Sequence, residues 1–132
     1  MSQSYVVCVV LPDLDIAVAN PHPFDARPMI EAGMTLALGT NLNPGNWTES
    51  MQLVMQLACR NHGMAPEEAL LAATTGAARA IQRHHEIGCL REGYAADIQI
   101  WDLPGFEDLI YRIGNNAVCM VIKNGKIVVR KT

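Results

Sequence analysis

Thr40-Asn41-Leu42-Asn43-Pro44-Gly45-Asn46 is the stretch of this chain best placed to do chemistry, because it follows the apolar run Met34-Thr35-Leu36-Ala37-Leu38-Gly39. A buried strand that runs into a polar, glycine-containing loop is how α/β enzymes present ligand-binding groups at the carboxyl ends of their strands. Asn41 could offer a carbonyl oxygen to a metal ion. It carries no negative charge, however, and cannot act as a base; its ordinary role is a turn-forming amide that satisfies loop backbone. Asn43-Pro44-Gly45 stays open between a plain turn and a group that holds polar atoms of a ligand.

The remaining reactive residue types are scattered. The four histidines are His22, His62, His84 and His85, with no His-x-His spacing among them. His84 and His85 fit a solvated helix end, where imidazole complements the C-terminal dipole. Glu67 and Glu68 open a helix and read as first-turn acids, not as a catalytic carboxylate pair. Trp47, Met51 and Met55 suit core or rim packing. Cys8, Cys59, Cys89 and Cys119 form no CxxC pair, the pattern of buried reduced thiols in a cytoplasmic protein.

The elements that must position the loop follow from periodicity. Tyr5 to Leu11 is a β-branched run ended by Pro12, a predicted strand. Asp13 to Pro28 reads as irregular, since Asn20-Pro21-His22-Pro23 can continue neither a helix nor a central strand. Ala26 to Ala32 is a predicted short helix, with Pro28 in its first turn and Gly33 after it. Thr48 is the predicted N-cap of a helix over Glu49 to Asn61, whose apolar face is Met51, Val54, Met55 and Ala58 and whose end is Gly63. Pro66 starts the next helix, with Leu70, Leu71, Thr74, Ala77, Ala78 and Ile81 as its packing surface. From Gly88 the pattern turns to β, with strands over 97–101, 118–123 and 126–129, the last two joined by Asn124-Gly125.

Composition narrows the function classes. Half the 132 residues are apolar and 17% are charged, which is globular. A formal charge of −3 without a basic cluster argues against nucleic acid or an anionic membrane as partner. No window supplies the ~20 apolar residues of a membrane span. Met1 to Val10 lacks the basic start and cleavage site of a signal peptide.

Three further segments carry a resemblance. Thr74-Thr75-Gly76-Ala77-Ala78-Arg79-Ala80, Gly88-Cys89-Leu90-Arg91-Glu92-Gly93-Tyr94-Ala95-Ala96-Asp97 and Val121-Ile122-Lys123-Asn124-Gly125-Lys126 resemble the signature of metal-dependent amidohydrolases. Asp97 there reads as the anchor of a turn before an apolar strand. Asn41 to Gly45, Met51 to Cys59 and Phe106 to Gly114 are similar to imidazolonepropionase, an amidohydrolase family of histidine breakdown. The Leu109-Ile110-Tyr111-x-x-Gly114 piece favours it over dihydroorotases, guanine deaminases and adenine deaminases.

The resemblance implies an α/β chain made of the last strand and helix units of a (β/α)₈ barrel (residues 1–83), followed by the C-terminal part of the flanking β-sandwich (84–132). A whole barrel takes roughly 250 residues, so only about a third of such an enzyme is implied. It implies hydrolysis of the C–N bond of 4-imidazolone-5-propanoate to N-formimidoyl-L-glutamate, with zinc or iron activating water. Asn41 falls where the family has its metal-binding Asp, and the family's histidine ligands have no counterpart. Asn43, Gly45 and Asn46 fall at positions that hold substrate or product, with Asn46 where Thr or Ser is usual. No catalytic residue is assigned. Turnover by the chain alone is expected to be negligible, and tight metal binding is not expected of it. The alternative is a non-catalytic remnant that oligomerises or binds a complementary fragment through exposed strand edges.

Overall fold

Cys8–Val10 (β1) and Leu36–Leu38 (β2) pair in parallel, with Cys8 opposite Leu36 and Val10 opposite Leu38. This is seen in a computed structural model that describes residues 6–131. Tyr5, where the first predicted strand begins, lies outside the described residues. All three residues of β2 are buried, as expected of a parallel strand covered by helices.

The segment between the strands departs from expectation. Pro12–Ala17 forms a helix, α1, inside a stretch that reads as irregular. Pro12 sets the first helical φ, and Asp13 and Asp15 in the first turn complement the exposed N–H groups. Asn20 stops the helix: its backbone N–H donates to the Asp15 carbonyl at 2.8 Å and its amide to Asp15 Oδ1 at 2.7 Å. The Pro-rich residues after it stay non-helical. Arg27–Glu31 (α2) then runs into Gly33, at φ +74°.

Met51–Asn61 (α3) is the longest helix, and its N-cap is Ser50 rather than Thr48. Ser50 Oγ accepts from Leu53 N at 3.2 Å, while the Thr48 hydroxyl donates to Asn46 Oδ1 at 2.9 Å. Two buried glutamines join its apolar face. Gln52 accepts from Ala117 N. Gln56 donates to the carbonyls of Leu109 and Arg112 and accepts from Gly114 N. One turn further on, Arg60 reaches the carbonyls of Ile110 and Tyr111. This row at i, i+4 and i+8 grips the backbone around Glu107–Tyr111 (α6).

Pro66–Leu71 (α4) passes through a π-helical turn, Ala72–Gly76, into Ala77–Ala80 (α5). Glu68 caps α4 by accepting from Ala65 N and also pairs with Arg27 at 2.7 Å. Both contacts hold its carboxyl below the ordinary range. The packing face differs from the predicted one: Ala69, Ala72, Gly76 and Ala78 are buried, whereas Leu71, Thr74 and Ile81 are exposed. The small residues let the helix lie against β2, where a Cβ on Gly76 would stand 2.0 Å from the Leu36 carbonyl oxygen.

Ile98–Trp101 (β3), Val118–Lys123 (β4) and Lys126–Arg130 (β5) form an antiparallel sheet in the order β3-β4-β5. Asn124 and Gly125, at φ 48° and 75°, make the two-residue turn that Asn-Gly favours. Asp97 anchors that distant turn: Oδ1 accepts from Asn124 N at 2.9 Å and Oδ2 pairs with Lys123, which together lower its carboxyl pKa. One apolar core runs from Val10, Leu36 and Leu38 through Val54, Met55 and Ala58 to Leu109 and Ala117. Among the described residues no helix is long and apolar enough to cross a membrane.

Candidate functional site

The parallel pairing puts the carboxyl ends of β1 and β2 side by side, and Gly39 N extends the ladder by donating to the Val10 carbonyl at 3.1 Å. Two segments therefore leave the sheet together, Leu11-Pro12-Asp13 and Thr40 to Thr48. The structure brings the four predicted residues into the second of these.

Asn41 takes the left-handed conformation at φ 47°, a region Asn and Asp tolerate better than most residues. Its carbonyl accepts from Asn43 Nδ2 at 2.7 Å. Asn43 Oδ1 in turn accepts from Gly45 N at 2.9 Å and from Asn46 N at 3.1 Å. Backbone bonds of 3.0 Å in both directions between Asn43 and Asn46 close the turn. The Asn43 amide thus spans the loop from Asn41 to Asn46, the geometry of an Asx-type turn.

Asn46 ties this turn to the first turn of α1, just after β1. Its Nδ2 donates to Asp13 Oδ2 at 2.7 Å and approaches the Thr40 carbonyl at 3.3 Å. Asp13 is buried, and its Oδ1 has no partner among the described residues. Sequence reasoning missed Asp13 because it placed the residue in irregular chain; Pro12 followed by two first-turn acids was the signal available.

The histidines do not converge on this loop. His22, His84 and His85 are exposed, with His84 and His85 edge-on at 5.8 Å between ring centres. His62 is buried at the C-terminal end of α3. Met55 lies in the core and Met51 packs against it, while Trp47 is 74% exposed beside the loop. The four cysteines are free thiols. Cys89 is exposed and the other three half-buried, so the expectation of burial fails at Cys89. Burial and the carboxylates of Glu67 and Glu68 push the Cys59 thiol up to about 11.

A divalent metal needs several anionic or imidazole donors around one point. Among the described residues no three His, Cys, Asp or Glu side chains converge in that way. Asn41 offers a neutral amide on a backbone already bonded within its loop. The donor set present does not fit a metal centre.

Residues 4–128 match the amidohydrolase family. The chain belongs to that family. It is 46% identical over 132 residues to the imidazolonepropionase of Alkaliphilus oremlandii, a match that covers 99% of this chain and 31% of that protein. The imidazolonepropionases of a Geobacillus species and of Rhodococcus jostii are 42% and 41% identical, over 98% and 96% of this chain and 31% of each relative. The amidohydrolase chain therefore spans about a third of the length of these relatives.

Solved structures agree on the fold. An adenosine deaminase from Xanthomonas campestris with bound zinc superposes with a TM-score of 0.80 at 26% identity, over 95% of this chain and 32% of that one. A variant of the atrazine chlorohydrolase of Arthrobacter aurescens, complexed with zinc and atraton, gives 0.81 at 26%, over 92% and 31%. The guanine deaminase of E. coli, at 14% identity and a TM-score of 0.77, shares the fold over 98% of this chain and 35% of that enzyme.

Proposed function

We propose that this chain is the carboxyl-terminal third of an imidazolonepropionase-type amidohydrolase. In that reading it supplies one wall of a site that hydrolyses the C–N bond of 4-imidazolone-5-propanoate to N-formimidoyl-L-glutamate. The observation that carries the reading is similarity to imidazolonepropionases along the whole chain, with the Asn41–Asn46 loop at the carboxyl mouth of the parallel strands. Asn43, Gly45 and Asn46 are the proposed substrate-holding positions. Asn43 shapes the loop and Gly45 leaves it uncovered. Asn46, held by Asp13, fixes the loop against the start of α1.

Asn41 is the proposed metal-side position, and it is the weak point of the site. An amide there has neither the charge nor the basicity of a carboxylate. Its left-handed backbone accepts Asp as readily as Asn, so the chain's own conformation leaves the exchange free of strain. In this reading the family's zinc is held by residues outside this chain together with position 41, and the chain alone turns nothing over.

Complementation tests this. The chain is co-expressed with the part of the Alkaliphilus oremlandii imidazolonepropionase that it does not match, and hydrolysis of 4-imidazolone-5-propanoate is measured with zinc. The chain alone is expected to be inactive. Asn41→Asp is expected to raise the complemented activity by at least about 10²-fold over Asn41, the scale of removing one key electrostatic group. Turnover by the unaided chain, or equal activity with Asn and Asp, would overturn the proposal.

A second reading, a partner-binding remnant without catalysis, is favoured by Asn41 together with sheet edges that pair with no further strand among the described residues. Assembly with the complementary segment and no activity even with Asp at position 41 would select it.

A further inference from the structure

A groove of about 320 Å³, the size that holds small organic ligands, lies between the helical segment α4–α5 and the turn that joins α2 to β2. Thr35 and Leu36 line it at the amino end of β2, whereas the Asn41–Asn46 loop leaves the carboxyl end of that strand. The helical wall is Glu68, Leu71, Ala72, Thr75, Gly76 and Arg79, the spacing of a single helix face. At a rise of about 1.5 Å per residue that stripe is roughly 16 Å long. Its middle is the π-helical turn, where Ala72 and Gly76 contribute almost no side-chain volume. Ile30 and Met34 stand opposite. Leu71 and Met34 stay 58% and 40% exposed, so the chain's own side chains leave the space open.

The two ends of the stripe differ in charge and in what each charge already holds. Glu68 is spent: Oε1 accepts from Arg27 at 2.7 Å and Oε2 from the Ala65 backbone N–H at 2.7 Å. The Thr75 hydroxyl donates to the Leu71 carbonyl at 3.2 Å. Arg79, at the far end, is exposed and makes no ion pair among the described residues. The groove therefore presents one open cation, apolar walls and no open anion.

We propose that this groove binds a free straight-chain alkyl carboxylate, with the carboxylate on Arg79 and the chain lying between Leu71 and Met34 toward Met64. The guanidinium fork matches both oxygens of a carboxylate, which a neutral head group does not supply. At the other end the Glu68 carboxylate turns an anion away, and this fixes the direction of the chain. An unbranched stem suits walls of Leu, Ile and Met, whose side chains adapt to its shape. No residue of the Asn41–Asn46 loop takes part, so the inference stands apart from the hydrolytic reading.

The test is an NMR titration of the full chain with isotope-labelled methionine methyl groups. Met34 and Met64 line the groove and report on it, while Met55 in the core and Met120 on β4 are the remote controls. The probe is octanoate, kept below its micelle-forming concentration, against n-octanol as the uncharged stem, n-octylammonium as the opposite charge and acetate as the head group alone. Saturable one-to-one shifts at Met34 and Met64 are expected with octanoate only, weakening as salt is raised. Arg79→Gln, at an exposed position, should weaken binding about fivefold, the scale of a charge pair open to solvent. Leu71→Asp, also exposed, should abolish binding by placing a carboxylate on the apolar wall, and leaves the Arg79 guanidinium in place. No saturable shift with octanoate, an equal response to n-octanol or n-octylammonium, or undiminished binding in either variant would overturn the proposal.

Discussion

Both ends of the Asn43 amide are bonded inside its own loop, whereas Asn46 reaches across to helix α1, and this difference decides what each side chain does. Asn43 makes the turn. Asn46 places it, through Asp13. The Asp13 carboxylate sits in the first turn of α1, where the helix N-terminus offsets part of its desolvation, and it holds Asn46 with one oxygen only. Removing the carboxylate should leave the Asn46 amide without its charged acceptor. Asp13→Ala is therefore expected to cost about 1–3 kcal/mol in urea unfolding, and Asp13→Asn less, because its carbonyl can still accept. The Asn46 side-chain amide resonance should lose its protection from exchange in Asp13→Ala. An Asp13→Ala chain with unchanged midpoint and unchanged Asn46 protection would show that the loop stands on its own.

At the scale of elements, the π-helical turn before α5 is where sequence and structure meet most tightly. Gly76 lies against the Leu36 carbonyl of β2, and a backbone oxygen in a buried strand cannot swing aside as a flexible side chain would. Gly76→Ala should force the helix and strand apart and cost about 3 kcal/mol or more, the upper range for overpacking. Thermal and urea unfolding would measure it, and a loss under 1 kcal/mol, the size of an ordinary propensity change, would mean that the contact yields. The strands and the helices α2 to α5 were legible in order because hydrophobic period and turn residues are local signals, Asn124-Gly125 the clearest of them, whereas the short helices α1 and α6 were not. What could not be read depends on distant partners. Gln52 and Gln56 look like solvent-facing residues until the backbone of residues 109–117 arrives to satisfy them. Leu71 and Ile81 look like core residues because helical period says which side chains are apolar, not which surface faces them. The site divides in the same way. Asn41, Asn43, Gly45 and Asn46 were visible as one polar loop after a strand, while Asp13 needed the parallel pairing to bring it alongside.

The whole molecule carries more apolar surface than its own core can cover. Parallel strands are ordinarily buried within larger sheets, yet β1 and β2 form a sheet of two, and Val9 is half exposed. β5 is exposed along its full length, with Ile127 at 56% and Val128 at 58%. An edge strand of this kind offers unpaired backbone groups flanked by apolar side chains, the arrangement that templates pairing with another chain. The purified chain is therefore expected to self-associate reversibly over the micromolar range in sedimentation velocity. β5 provides a way to locate the contact. Val121 pairs with Val129 and Ile122 with Ile127, so Val128 is the extra residue of a bulge and packs opposite no partner of its own. Val128→Lys should leave the sheet intact, as judged by an unchanged circular dichroism spectrum, while the lysine blocks edge-to-edge pairing. If β5 is the contact, the variant shifts the distribution to monomer. If the parallel pair is the contact, Val128→Lys leaves association unchanged, and adding the complementary segment of the proposed enzyme is expected to suppress it instead. A chain that stays monomeric throughout that range would mean that neither edge pairs strongly enough to matter, and the partner-binding reading would lose its support.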